Sequence, residues 1–447
     1  MQLWKTKHVP TIDSVMAARS KDVLDAFVDQ RYVDLARVID SNYYPWRKVR
    51  YIASDKGLDA EVLWAIVKMT RVSASRLLPL YGPGTTPLRF NLPDSVQEEL
   101  MFVDQDLGGK LTASDDQPIS QAHQERFVIS ALREEAIASS MLEGASTTRR
   151  KAKEMLASGR KPATTGERMV LNNYLAMKFI LEHRHEDLSP ELLLQIQAIL
   201  TENTLDQEDE VGRFRTANDQ VDVVDRDGQV VHNPPPASEL PARLKRFCDF
   251  ANGAADGGRF VHPLVRAISL HFQIGFDHPF CDGNGRTARA VFYWAMLKAG
   301  YWLFEYLAIS RLIYNSPSQY GMAYLYTETD EFDLTYFLAY NVRVVRLARR
   351  DLHEYIARKQ AEMMQARRIF EADYRLNHRQ REAILLFTRA PAMHMDIQEH
   401  QDRHHTAYAT ARRDLLELVK WEYLIQIKDG NRYVFKASSK MTSNPPV

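Results

Sequence analysis

Between two apolar helical patterns stands His278-Pro279-Phe280-Cys281-Asp282-Gly283-Asn284-Gly285-Arg286-Thr287-Ala288-Arg289, the densest group of chemically capable side chains in the sequence. Gly283-Asn284-Gly285 permits positive backbone angles that turn successive N–H groups toward one point, and the helix starting there adds its positive end. Such a bend cradles an anion. Arg286 and Arg289, on one face of the first turn, carry planar forks that match phosphate oxygens. Two cations at a helix N-terminus oppose the macrodipole, so an anion or a carboxylate must compensate them. Asp282 is a hard oxygen ligand suited to Mg2+ shared with a di- or triphosphate. His278 titrates near neutral pH and stands close enough upstream to act as a base over the same ligand. Phe280 reads as the core anchor that fixes the loop. Cys281 has no evident orienting partner for a nucleophilic role. A base, a carboxylate, a cradle and two arginines together make the parts of a nucleotidyl-transfer site.

Helices must position these parts. Apolar spacing predicts helices at Gln121 to about Leu142, stopped by Gly144, then at Met169–His183, Pro190–Asn203, Leu240–Phe250, Pro263–Phe276, Gly285–Ala299 and Thr335 to about Met364. The exception is Gly212 to Pro236. Val221, Val223 and Val224, then Asp227-Gly228, then Val230 and Val231 predict a short hairpin closed by Asn233-Pro234-Pro235-Pro236. A lone hairpin needs something to pack on, and its free edge can accept a strand from another chain.

At either end the pattern changes. Residues 1–115 read as a helical region, with periodicity from Thr11 to about Asp40 and at Val62–Met69, closing in breaker-rich segments at Tyr81–Pro87 and Gly108–Pro118. Residues 116–350 form the central domain and 351–375 a linking helix. Residues 376–440 hold three short helices, then Tyr423–Ile427, a Lys428-Asp429-Gly430-Asn431 turn and Arg432–Phe435, the pattern of a winged helix-turn-helix. His404, His405, Arg412, Arg413, Lys428 and Arg432 give it a modest basic face, diluted by Asp414, Glu417 and Glu422. Residues 441–447 are a tail. The expected fold class is therefore mainly α.

With 447 residues, the chain has room for about three domains at roughly 150 residues each. Its 58 basic and 58 acidic residues cancel, so no global field recruits nucleic acid or an anionic membrane. The start, MQLWKTKHVP, lacks a secretory pattern, and no apolar run reaches the length of about 18 residues that a spanning helix needs. Two cysteines, Cys248 and Cys281, fit no disulfide framework, so a cytoplasmic location is expected.

His278 through Arg289 matches the HxFx(D/E)GNGRxxR signature without a mismatch, and the chain in this respect resembles Fic-domain proteins. Gly212-Arg213-Phe214-Arg215, the hairpin, the proline run, His262-Pro263-Leu264 and Leu270-His271-Phe272 extend the likeness over about Gln121 to Arg350. The resemblance implies a helical bundle with a hairpin flap, whose usual activity moves AMP from ATP onto a protein hydroxyl. It implies His278 as the base for a Ser, Thr or Tyr hydroxyl, Asp282 as the Mg2+ holder, and Gly283, Asn284 and Gly285 as the cradle for the α- and β-phosphates. Arg286 would neutralise phosphate charge, and Arg289 would take the γ-phosphate.

Ser139-Ser140-Met141-Leu142-Glu143-Gly144 resembles the family's inhibitory motif, (S/T)xxxE(G/N), with Ser139, Glu143 and Gly144 at its fixed positions. A carboxylate at a helix C-terminus is disfavoured by the dipole and seeks a cation. Arg289 is the expected partner, which would keep the enzyme idle until the helix shifts. The implied partners are ATP and a hydroxyl-bearing target docking on residues 212–236. Removal of AMP in the same site, a DNA-binding regulator acting through the winged helix, and a homodimer stay open.

Overall fold

The structure is a computed structural model that describes residues 8–107, 121–224, 228–372, 375–389, 393–429 and 432–439. The chain divides into two compact units, residues 1–352 and 353–447. In the first, α1 (Ile12–Ala26), α2 (Gln30–Ser41), α3 (Trp46–Asp55) and α4 (Ala60–Ala74) lead into β1 (Arg76–Tyr81), β2 (Pro87–Phe90) and α5 (Asp94–Leu107). Then follow α6 (Gln121–Leu142), α7 (Arg149–Ser158), α8 (Thr165–Glu182), α9 (Pro190–Thr201), β3 (Val223–Val224), β4 (Val230–His232), α10 (Leu240–Ala251), α11 (Pro263–Asp277) and α12 (Asn284–Lys298). The last helices of the run are α13 (Ile309–Tyr314) and α14 (Pro317–Thr329), and α15 (Thr335–Ala372) begins in this unit and ends in the second. The fold is mainly helical, as the periodicity predicts.

Local chemistry sets the helix starts. Thr11, Asp29, Asp59, Thr164 and Ser189 each accept a backbone N–H at the head of α1, α2, α4, α8 and α9, and α9 and α11 open on Pro190 and Pro263. Burial sets their places. α11 and α12 are buried nearly all round, so they form the centre of the unit. Arg286, Thr287 and Arg289 lie on that buried α12 and therefore need partners inside the protein.

Residues 8–107 are stitched to this core by polar contacts that few local signals announce. Buried Arg71 donates to Tyr336 Oη at 2.9 Å and to Asp40 Oδ1 at 3.1 Å, and Tyr43 Oη donates to Asp333 Oδ2 at 2.6 Å. Lys68 Nζ pairs with Asp330 Oδ1 at 2.7 Å with both side chains buried. One compact body thus spans the expected boundary near residue 115, itself outside the described residues. This otherwise helical part also contains the antiparallel hairpin β1–β2, at the breaker-rich segment Tyr81–Pro87. A Cβ on Gly82 would stand 2.6 Å from the Phe332 ring, so the turn after β1 passes directly over that side chain. The flap hairpin is short, with Val223 opposite His232 and Val224 opposite Val230, and most of its turn lies outside the described residues.

The second unit contains α16 (His378–Arg389), α17 (Ile397–His404), α18 (Tyr408–Lys420) and the hairpin β5 (Leu424–Asp429) with β6 (Arg432–Ala437). A capping box between Asp396 and Glu399 starts α17. Ile384, Phe387, Leu415, Leu418 and Phe435 pack into one core, and Met395 bridges to Phe435 through two backbone bonds. No helix among the described residues is long and apolar enough to cross a membrane.

Candidate nucleotide site

α11 ends at His278, whose backbone is left-handed (φ 45°, ψ 57°), and α12 begins after Gly283 (φ 82°). A Cβ on Gly283 would come within 2.9 Å of Thr201 Cγ2, so only glycine combines that angle with that space. Asn284 holds the intervening loop in shape. Its Oδ1 accepts from Phe280 N at 3.0 Å, and its Nδ2 donates to Phe280 O at 2.8 Å. Phe280 is fully buried and stacks on Phe214 at 5.3 Å. Asn284→Ala would leave both Phe280 backbone groups buried without partners, a cost of about 1–3 kcal/mol. The expected result is a lower melting temperature together with loss of nucleotide binding, read by thermal unfolding with and without ATP.

Arg215 is the second brace. It donates from Nε to His278 O at 2.7 Å and from Nη2 to Asp277 O at 3.0 Å and Pro235 O at 2.5 Å, while its own N–H reaches Pro279 O at 2.9 Å. The chain on both sides of the flap is thereby tied to the loop.

His278 Nδ1 lies 3.0 Å from Gly275 O, an acceptor, so the proton sits on Nδ1 and the lone pair on Nε2. Burial pulls its pKa below the usual imidazole range, against the upward pull of Gly275 O and Glu143. His232 at the end of β4 places Nδ1 2.9 Å from Glu328 Oε2 and Nε2 2.7 Å from Phe276 O. Burial opposes charge on His232, but these two acceptors outweigh it and raise its pKa. A proton on both nitrogens satisfies both contacts and helps keep nearby His278 neutral.

The two arginines face different partners. Arg286 donates to Leu200 O at 2.8 Å and to Asp282 Oδ2 at 3.2 Å, and burial lowers its pKa. Arg289, fully buried, donates from Nε to Ser139 Oγ at 2.8 Å and from Nη2 to Ser139 O and Glu143 Oε1, each at 3.0 Å. Burial opposes its charge, yet Glu143, Tyr320 and Glu135 outweigh that and raise its pKa. Arg289 Nη1 and Arg286 Nε are buried without a hydrogen-bond partner, so each guanidinium keeps a donor in reserve.

The end of α6 fixes Glu143. Ala145 N donates to Ser140 O at 3.0 Å and Gly144 N to Met141 O at 3.1 Å, with Gly144 at φ 84°, which is a Schellman closure with Glu143 as the last cap residue. The Glu143 carboxylate then lies directly against the cradle. A Cβ on Gly285 would stand 2.8 Å from Glu143 Cδ, so the carboxylate fills the space where the bend and the helix dipole favour an anion. Glu135, two helical turns back on the same face, accepts from Tyr293 Oη and Ser310 N, each at 2.9 Å, and burial raises its pKa.

The structure brings His278, Asp282, Gly283, Asn284, Gly285, Arg286, Arg289, Ser139 and Glu143 into one neighbourhood. Cys281 stands apart beside Asp219 and Arg213, and burial pushes its thiol up to about 11, the wrong direction for a nucleophile. Sequence reasoning missed Glu135, Gln197, Arg215's side-chain bonds and His232. Gln197 donates to Asp282 O at 3.2 Å and accepts from Gly212 N at 2.7 Å. Only Glu135 had a local signal, the four-residue spacing Glu135-Ser139-Glu143 along α6.

Residues 187–296 match the model of the Fic/DOC family. The protein adenylyltransferase Fic of Drosophila willistoni is 36% identical over 70 residues, which are 16% of this chain and 14% of that protein. Its namesake from Nematostella vectensis is 34% identical over 92 residues, 21% of this chain and 19% of that one. The chain thus matches less than a fifth of these relatives' length. Among solved structures, a Fic family protein from Desulfovibrio desulfuricans superposes with a TM-score of 0.51 at 18% identity, covering 77% of this chain and 95% of the other. A fragment of Fic-1 from C. elegans gives 0.50 at 18%, covering 78% and 92%. These likenesses show a common fold.

Proposed function

We propose that the Fic domain of this chain is a protein adenylyltransferase, moving AMP from ATP to a Ser, Thr or Tyr hydroxyl of a target protein or of itself. The observation that carries this reading is the convergence of the His278 lone pair, the Gly283–Gly285 bend and two buried arginines. His278 Nε2 accepts the hydroxyl proton as the oxygen attacks the α-phosphorus. The bond from that phosphorus to the bridging oxygen breaks, and pyrophosphate leaves. Backbone N–H groups of the bend and the α12 N-terminus hold phosphate oxygens, and Arg286 offsets their charge.

Asp282 suits Mg2+. Its side chain is 53% exposed, offers hard oxygens and lies at the bend, and this ion commonly takes one or two carboxylates plus substrate phosphates. When bound, Mg2+ would neutralise charge on the polyphosphate.

In the conformation described here Glu143 occupies the Arg289 guanidinium and the anion space over Gly285, so ATP cannot place its γ-phosphate there. We read the pair as a brake. The β3–β4 hairpin, with an exposed edge next to the loop, is the surface on which an extended target segment would pair.

Incubation with Mg2+, lysate and ATP labelled at either the α- or the γ-phosphate tests the reaction. Label should be retained on protein from the α-phosphate alone. Transfer of the γ-label would replace the reading with a kinase-type one.

A further inference from the structure

We propose that His378, Glu382 and His404 in the second unit form a binding site for a Zn2+-class transition-metal ion. The two from α16 are four residues apart, so their side chains leave one face of the helix, and His404 closes α17. One ligand atom from each residue lies within 4.8 Å of the other two. Tetrahedral bonds of about 2.0–2.2 Å set ligand atoms roughly 3.3–3.5 Å apart, so closing on an ion takes a side-chain adjustment of about 1 Å. Two imidazoles and a carboxylate suit zinc and leave a fourth position open to water.

The spacing inside the group fits a ligand. The His404 side chain is only 6% exposed and turns Nδ1 toward Glu382 Oε2 at 3.8 Å, beyond hydrogen-bond reach, so a cation held between the two would bond both. The His400 ring, 4.6 Å away and fully buried, packs against His404 and turns Nε2 toward Asp414 Oδ2 at 3.6 Å. The sequence had counted His404 toward a basic, phosphate-facing surface. Its burial removes it from that surface.

The charges around the group are accounted for. His404 is faced by Glu382, His378, Arg379 and Arg403. Arg379, a neighbouring cation on α16, is held by Asp414 at 2.6 Å, so its charge is countered. The other acid-rich group with ligating spacing, Glu210, Asp219 and Cys281, is already answered by Arg213, which sits 2.7 Å from Asp219.

The site owes nothing to nucleotide transfer. Bound metal would tie α16 to α17. The test is Co2+ titration of chelator-stripped full-length protein without nucleotide, followed by visible absorption and then by Zn2+ displacement. The expected result is a single equivalent with the ligand-field band of a four-coordinate ion, bleached by Zn2+. His378→Ala and Glu382→Gln alter partly exposed side chains, and folding is checked by far-UV circular dichroism. Each should weaken uptake by about tenfold to a hundredfold or more. His404→Ala should do the same but removes a buried ring, so the decision rests on the other two variants. His185→Ala, an exposed histidine of the first unit, should bind as wild type. Absence of the band in wild type, or wild-type affinity in both His378→Ala and Glu382→Gln, overturns the site and leaves a metal-free polar contact between the helices.

Discussion

His278→Ala should lower AMP transfer by about 10²–10⁴-fold, the usual contribution of a positioned general base. The proposed base has a defined tautomer. Nδ1 is committed to Gly275 O, so Nε2 is the nitrogen with a free lone pair, and burial keeps the ring neutral when a hydroxyl must be deprotonated. Alanine removes that lone pair but leaves the loop braced by Asn284 and Arg215, neither of which bonds the imidazole. The melting temperature should therefore change little. Transfer is measured with α-labelled ATP on the target or on the chain itself, with Glu143→Gly present in both samples so that the unmutated base gives a strong signal. Activity within a few-fold of that reference would remove His278 from the chemistry.

The opposite sign is expected at Glu143. Glu143→Gly should raise AMP transfer, self-modification included, by about tenfold to a hundredfold. The size follows from the proposed brake: a charged hydrogen bond of about 1.5–3 kcal/mol would have to break to free Arg289 for nucleotide, and each 1.4 kcal/mol is a factor of ten. Removing one member of a buried ion pair normally leaves the other stranded. Here Arg289 keeps both Ser139 bonds and the nearby Glu135 charge, so the variant should stay folded. Glu143→Gln, which keeps the shape and loses the charge, should fall between wild type and Glu143→Gly. Equal rates in all three proteins would mean that the pair does not restrain the reaction.

How far these features could be read from the sequence follows from the distance over which each is decided. The mainly helical fold was legible because apolar spacing and caps such as Ser189-Pro190 act within one turn. The bend at Gly283–Gly285 was legible for the same reason, since its angles depend on its own residues. Arg215 was not: its acceptors Asp277 and His278 lie more than 60 residues away, and nothing near Arg215 says which carbonyls will arrive. His232 depends likewise on Glu328, and Arg71 on Tyr336. The β1–β2 hairpin was obscured by its composition. Pro79 and Pro87 weaken a strand pattern, and it is Arg89 bonding to Phe332 and Leu334 that secures it. α5 carries helical spacing at Val96, Leu100, Val103 and Leu107, all buried, but it stands between breaker-rich segments that mask so short a run.

The three carbonyls gripped by Arg215 make the hairpin's exit and the imidazole's own peptide a single rigid piece. If targets pair along that ribbon as proposed, one that sits awkwardly would displace the proposed proton acceptor by the same amount. Discrimination among targets would then be felt chiefly as slow turnover, with loose attachment the smaller symptom.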